Sequence, residues 1–261
     1  RPQPDSRLDF DGTVTLHQGQ LDVGVLLDKV DGKIKLAGHM ERGALSQLTG
    51  TLEIASMLVA GRDAKQVRGE LTKAQGQPVL RIEKLRGGLA GGEVAGSILL
   101  AYPDQGPSRY VMDLALHDAD VRQLTGETER EITGRLAASL ALEGSWDDPA
   151  SRRGRGEVVV GGKQMYQIPV ILGLIEITNL ALPINSPFTT ATARYSVVGK
   201  AVTFEQIELR SDQMRMSGSG SLNFDTQRVA MSFTTDNPNW PKLPGIGDFL
   251  QGARNEMFQI R

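Results

Sequence analysis

The sequence predicts a mainly β protein: one long antiparallel sheet, curled into a groove or taco-like trough, with a few short helices. Three observations carry this. Apolar and polar residues alternate over long stretches, turn signals recur at short intervals, and glycines sit inside strands of a chain poor in aromatics. The 261 residues include 30 Gly but only 2 Trp, 4 Tyr and 7 Phe. That length suffices to bury a core. The glycines show no three-residue period, which excludes collagen.

The alternation comes first. Ile132, Gly134, Leu136, Ala138, Leu140 and Leu142 share one side of a stretch whose other side is Thr133, Arg135, Ala137, Ser139, Ala141 and Glu143. Met214, Met216, Gly218, Gly220, Leu222 and Phe224 alternate with Arg215, Ser217, Ser219, Ser221 and Asn223. Tyr110, Met112, Leu114 and Leu116 alternate with Val111, Asp113, Ala115 and His117, and Val94, Ile98, Leu100 and Val229, Met231, Phe233 follow the same rule. Side chains change face at each strand residue, so every stretch has one apolar and one wetter face. Antiparallel strands with one solvated side read this way.

Turns are expected at Asp11-Gly12, Asp31-Gly32, 75–78, 103–107, 198–200 and 225–227. Their spacing gives roughly a dozen strands pairing in sequence as a meander. Helical period is confined to 44–48, 121–124, 170–180 and 246–255. Residues 1–48 read as leading hairpins continuing from an upstream part, and 49–261 as the main β-groove domain with an apolar helix near 168–182. The chain opens on Arg1-Pro2 without a Met and is expected to be a piece of a longer polypeptide. Leu85 to Gly96 and Leu209 to Gly220 have equal spacing in similar surroundings, which suggests an accretive architecture.

A dozen strands at ~4.8 Å make a ribbon nearly ~60 Å long. Left flat, it would expose far more apolar area than the several hundred Å² usual for a soluble monomer. It must curl, pair with a second layer, or hold something greasy. Gly96, Gly134, Gly218 and Gly220 permit bending. An ordinary β-sandwich filled by its own side chains is the alternative, because strand pattern alone does not separate the two.

The composition excludes much. With 29 Lys+Arg against 31 Asp+Glu, the formal charge is −2 and both signs are scattered, so no nucleic-acid partner is expected. Zero Cys removes thiol chemistry, Cys-ligated zinc and disulfides. His17, His39 and His117 fall in separate hairpins. His117-Asp118-Ala119-Asp120 and Asp147-Asp148-Pro149 read as turns in which Asp bonds its own backbone. Gly87-Gly88-Leu89-Ala90-Gly91-Gly92 lacks the Gly-Lys-Ser/Thr ending of a phosphate loop. Arg152-Arg153-Gly154-Arg155 reads as a solvated loop with a minor headgroup-phosphate role open to it. No enzyme, metal or cofactor is expected. Around 168–182, Val170, Ile171, Leu172, Leu174, Ile175, Ile177 and Leu180 cover most of a helix circumference. Such a helix either packs across the sheet as its core or plugs a lipid groove from the interface.

Several motifs resemble AsmA-like proteins, the group that includes the TamB-like ones. Leu85, Gly87, Gly88, Leu89, Gly91, Gly92, Val94 and Gly96 are similar to their recurring glycine hairpin, and 116–124 to their short helical insert after a strand. Gly154, Gly156 and 157–160, followed by the apolar 168–174, look like their C-terminal region, which 209–212 and 218–224 continue. The resemblance covers about residues 50 to 235. It implies a β-groove with an apolar lumen in the periplasm of double-membrane bacteria, an N-terminal inner-membrane anchor outside this segment, and a part in phospholipid traffic or outer-membrane assembly.

Chemistry and resemblance meet in one mechanism. Exposing a sixteen-carbon tail to water costs on the order of 12 kcal/mol at ~0.8 kcal/mol per CH₂, and an apolar trough removes most of that cost. The expected partners are phospholipid acyl chains. The expected lining is Val94, Ile98, Leu100, Leu114, Leu136, Leu140, Ile171, Leu172, Ile175, Met216, Leu222, Phe224, Met231 and Phe233. Two other readings stand beside it: a cell-envelope assembly protein that binds client proteins along an exposed sheet edge, and a glycan-processing enzyme, which would need clustered carboxylates.

Overall fold

The structure is a computed structural model that describes residues 7–22, 25–103, 105–125, 133–162, 188–212, 215–226, 228–235 and 258–260. Among the described residues, fourteen strands form a single sheet in chain order. They are β1 (Arg7–Asp22), β2 (Leu26–Glu41), β3 (Ala44–Val59), β4 (Arg62–Lys73), β5 (Val79–Leu89), β6 (Gly92–Ala101), β7 (Arg109–Asp120), β8 (Arg135–Ser145), β9 (Arg153–Gly161), β10 (Thr190–Val198), β11 (Ala201–Arg210), β12 (Arg215–Asn223), β13 (Arg228–Thr235) and β14 (Phe258–Ile260). A short helix α1 (Val121–Thr125) follows β7. Every pairing is antiparallel, and β1 and β14 lie at opposite ends, so the sheet is open rather than a barrel. The fold is the mainly β, curled antiparallel sheet that the alternation predicts.

Two-residue turns set the early register. Arg42-Gly43, Ala60-Gly61 and Ala90-Gly91 each place two successive residues at positive φ (53° and 79°, 48° and 79°, 50° and 75°). That is the twist-matched geometry tight hairpins favour, and glycine adopts the second position without strain. Asp11-Gly12 and Asp31-Gly32 are not turns. They lie inside β1 and β2, where Gly12 faces Leu36 and Gly32 faces Leu16 and Ile54. The helix expected at 44–48 is instead the start of β3, since pairing with β2 across Arg42-Gly43 overrides the local helix propensity of Ala44 and Leu45. β3 then runs without a break through positions 48 and 49. The helix expected at 121–124 is α1. The stretches 168–182 and 246–255 lie outside the described residues.

The expected repeat does not survive pairing. Leu85 faces Gly96 across its hairpin, whereas Leu209 faces Met216 and Gly220 faces Phe204. Equal spacing here reflects two glycine-rich hairpins in different registers.

Bulges bend the strands. Inner apolar residues step by three rather than two at Leu16/Gly19, Leu27/Val30, Ala64/Val67, Ile82/Leu85, Leu116/Ala119 and Phe204/Ile207, so the inserted residue keeps the apolar side facing inward. At five of these sites a non-glycine residue takes positive φ: Gln18, Lys29, Gln66, Lys84 and Asp118, all between 49° and 53°. Such a residue costs on the order of 1 kcal/mol and needs support from its surroundings. Asp31 accepts from the Gln18 backbone N–H at 3.1 Å and from its Nε2 at 2.7 Å. The Lys84 ammonium reaches Glu70 at 2.9 Å, and Arg135 donates to the Asp118 carbonyl at 3.0 Å. Each bulge bends its strand and increases the local twist, and repeated across the sheet this gives the curl.

Candidate functional site: an apolar trough

The register aligns apolar residues into rows crossing the whole sheet. One row runs Gly12, Leu36, Gly50, Leu71, Ile82, Ile98, Met112, Leu142, Gly154, Val197, Val202 and Leu222, and continues through positions 229 and 260. Each member pairs directly with the next, on all fourteen strands, and none is polar. At ~4.8 Å per strand the row is roughly 60 Å long. A second row runs Leu85, Gly96, Leu114, Leu140, Gly156, Tyr195, Phe204, Gly220 and Met231. The opposite face is polar: Ser97, Asp113, Ala141, Arg155, Ser196, Thr203, Ser221 and Ala230 form the corresponding outer row.

Glycines set the depth of the floor. A Cβ on Gly156 would lie 2.1 Å from the Ser139 carbonyl and 2.5 Å from the Tyr195 hydroxyl, and one on Gly218 would lie 2.5 Å from the Phe233 ring. Neighbouring side chains lean over these positions because the inner surface of a curled sheet is compressed. Tyr195 crosses above Gly156 to donate to the Ser139 carbonyl at 3.0 Å, and burial pushes its phenol pKa up.

Two packed clusters flank an open middle. Val30, Ile54, Ala64 and Val67 are buried at one end of the trough. Phe188, Ile207, Leu209 and Met216 are buried at the other, with Phe188 1% exposed. Between them Ile98, Met112, Leu114, Leu140 and Leu142 are only half-buried, so no second layer of described residues seals this floor. One lip of the trough is folded over. There α1 follows β7, Val121 is buried, and Arg62 of β4 donates to the Leu124 carbonyl. The opposite lip carries exposed Tyr102, Val198 and Phe224 on its turns.

Of the expected lining, Val94, Ile98, Leu100, Leu114, Leu136, Leu140, Met216, Leu222, Met231 and Phe233 share this inner face. Phe224 does not. It follows β12 in the turn to β13 and is 62% exposed at the open lip, because alternation holds only while a residue remains in a strand. Ile171, Leu172 and Ile175 lie outside the described residues. Sequence reasoning missed the floor of β1 to β4, including Val14, Ile34, Leu36, Leu52 and Ile54. Its signal is present in Lys33-Ile34-Lys35-Leu36 and Leu52-Glu53-Ile54.

The outer face holds the ion pairs. Glu208 accepts from Arg210 and, at 2.6 Å, from Arg215; the first bond, followed by the second, holds its carboxyl below the usual carboxylate range. His39 contacts Asp9 beside a shallow pocket of 330 Å³ between β1, β2 and β3, and that contact and Arg7 lower the Asp9 pKa. Among the described residues no three His, Asp or Glu side chains group as a metal site, and no helix is long and apolar enough to cross a membrane. No family model, curated protein or solved structure matches the chain.

Proposed function

We propose that the trough holds the acyl chains of phospholipids, making this chain a lipid-binding β-groove module that contributes to phospholipid transport between inner and outer membranes or to outer-membrane biogenesis. The carrying observation is the uninterrupted apolar row across fourteen strands, half-buried at its centre. Roughly 12 kcal/mol of tail exposure would be avoided along such a floor, while the headgroup stays at the lip in water. The work is done by burial alone, with no bond made or broken. The resemblance of its motifs to those of AsmA-like proteins supports a periplasmic setting, with an inner-membrane anchor elsewhere in the full polypeptide.

Native mass spectrometry of protein purified without detergent from a double-membrane bacterium tests this. Co-purified phospholipid is the expected result; lipid-free protein that also takes up none from vesicles would overturn it. A second reading rests on β1, whose outer edge pairs with no strand over its sixteen residues among the described residues. It contains no Lys or Pro to block strand addition, and Leu8 and Val14 are exposed along it. An envelope assembly protein could pair client strands there; it would need no lipid.

A further inference from the structure

We infer that the open lip carries a receptor for the phosphodiester of a lipid headgroup, centred on Arg152. This inference rests on the acyl-chain reading of the trough and adds which part of the lipid is recognised, and where.

Arg152 lies between the short 3-10 turn Pro149–Ser151 and β9, with its Cα beside Gly144, the partner of inner-face Tyr110. It is half-buried, its Nε is shut off from water, and no hydrogen-bond or ion-pair partner of its guanidinium exists among the described residues. A half-buried cation without a counter-charge is costly. The neighbouring cations are already engaged: Arg153 donates to the Ala150 and Arg152 carbonyls, and Lys200 pairs with Asp225 at 2.6 Å. Trp146 supplies a second observation. Its Nε1 is also buried without a partner, and its ring lies 4.6 Å from that of Tyr110, an inner-face residue. Gly144 joins the two groups, since a Cβ there would meet the Tyr110 hydroxyl at 2.8 Å and Arg152 Cα at 3.3 Å.

The chemistry selects the ligand. Both orphaned groups are donors only, so the missing partner must be an acceptor, and the guanidinium favours an anion it can grip through two oxygens. The Arg152 Nε and the Trp146 Nε1 are closed to water, so an acceptor that carries an apolar portion suits this lip better than water does. Backbone bonds link this point along the lip to Gly199, whose N–H donates to the Arg152 carbonyl at 2.9 Å, and link Phe224 to the Lys200 carbonyl at 3.0 Å. Exposed Val198 and Phe224 therefore lie along the same lip as Arg152. A phosphodiester bearing acyl chains fits all of these features. Its phosphate would sit at Arg152 and its glycerol against Trp146 and Tyr110, and its tails would enter past Leu100 and Met112.

The test compares binding of vesicle-derived phosphatidylglycerol, a fluorescent fatty alcohol of equal chain length, and glycerol phosphate to wild type, Arg152→Gln and Trp146→Phe. Thermal unfolding verifies that each variant is folded. Arg152→Gln should lose roughly ten- to a hundredfold in phosphatidylglycerol affinity and keep its fatty-alcohol affinity. Trp146→Phe, which removes the N–H together with one ring of the indole, should lose a few-fold. Equal phosphatidylglycerol affinity in wild type and folded Arg152→Gln would overturn the headgroup site while leaving the trough reading intact. Glycerol phosphate binding as tightly as the lipid would likewise overturn it, by making the lip a site for free phosphate. Failure of wild type to bind either acyl probe would overturn the trough reading as well.

Discussion

Leu136→Glu combined with Leu140→Glu should abolish lipid retention while leaving the protein folded. Leu140 sits on the floor between Leu114 and Gly156, and Leu136 between Ala119 and Val160. Both are half-buried, so in the empty trough a carboxylate at either place can reach water. Once an acyl chain covers them, two carboxylates lose their hydration with no cation opposite, at a cost of several kcal/mol each. Retention should fall by more than about a hundredfold. Ala137→Glu with Ala141→Glu is the matched control. It adds the same charge to the same strand, but on the outer face, beside Val159 and Arg155. That pair should leave retention unchanged. Full retention in a folded Leu136→Glu, Leu140→Glu protein would remove these residues from the lining.

The second large effect concerns the curl. Gly156→Val should lower the melting temperature by about 10 °C or more, whereas Gly12→Val should move it by no more than about 2 °C. At Gly156 the new side chain meets a carbonyl oxygen at 2.1 Å and the Tyr195 hydroxyl at 2.5 Å. The Tyr195 bond to Ser139 must break and two strands must part. Overpacking of this kind costs roughly 3 kcal/mol or more, and each kcal/mol is worth about 2–4 °C at this chain length. Gly12 lies on the same inner face, in the other apolar row and at the free edge, with nothing within 4 Å of its Cβ position. If both variants melted alike, compression of the inner surface would not be what places glycine on the floor.

How much of this was legible in the sequence depended on whether a strand kept its period. β6, β8, β12 and β13 alternate cleanly between their turns, as does β7 up to Leu116, and the inner residues expected there lie on one face. Where a bulge inserts one residue, as at Lys84 or Asp118, alternation changes phase and a period-two reading places the next residue on the wrong side. Nothing in the residue type announces a left-handed Lys or Gln; it is held by a bond to another strand, such as Glu70 or Asp31. Asp-Gly pairs misled for a related reason. In this fold a glycine can sit inside a paired strand instead of a turn: Gly32 lies close against Glu53 and Ile54, and Gly12 lies opposite Leu36 at the free edge. Arg152 could be seen as basic but not as unpartnered, because that depends on which neighbouring cations find carbonyls or carboxylates first.

One measurement tests the central claim most directly. A photo-crosslinking residue, p-benzoylphenylalanine, is placed singly at Met112, Val111, Ile98 and Leu99 in cells whose phospholipids are radiolabelled. Met112 pairs with Ile98 on the inner face, and Val111 pairs with Leu99 on the outer one. All four are apolar, and the members of each strand's pair are chain neighbours, so hydrophobicity and location along the strand are matched and only the face differs. Lipid crosslinks at Met112 and Ile98, with none at Val111 and Leu99, are the expected result. Equal labelling of both faces, or labelling of neither, would contradict an acyl-bearing trough.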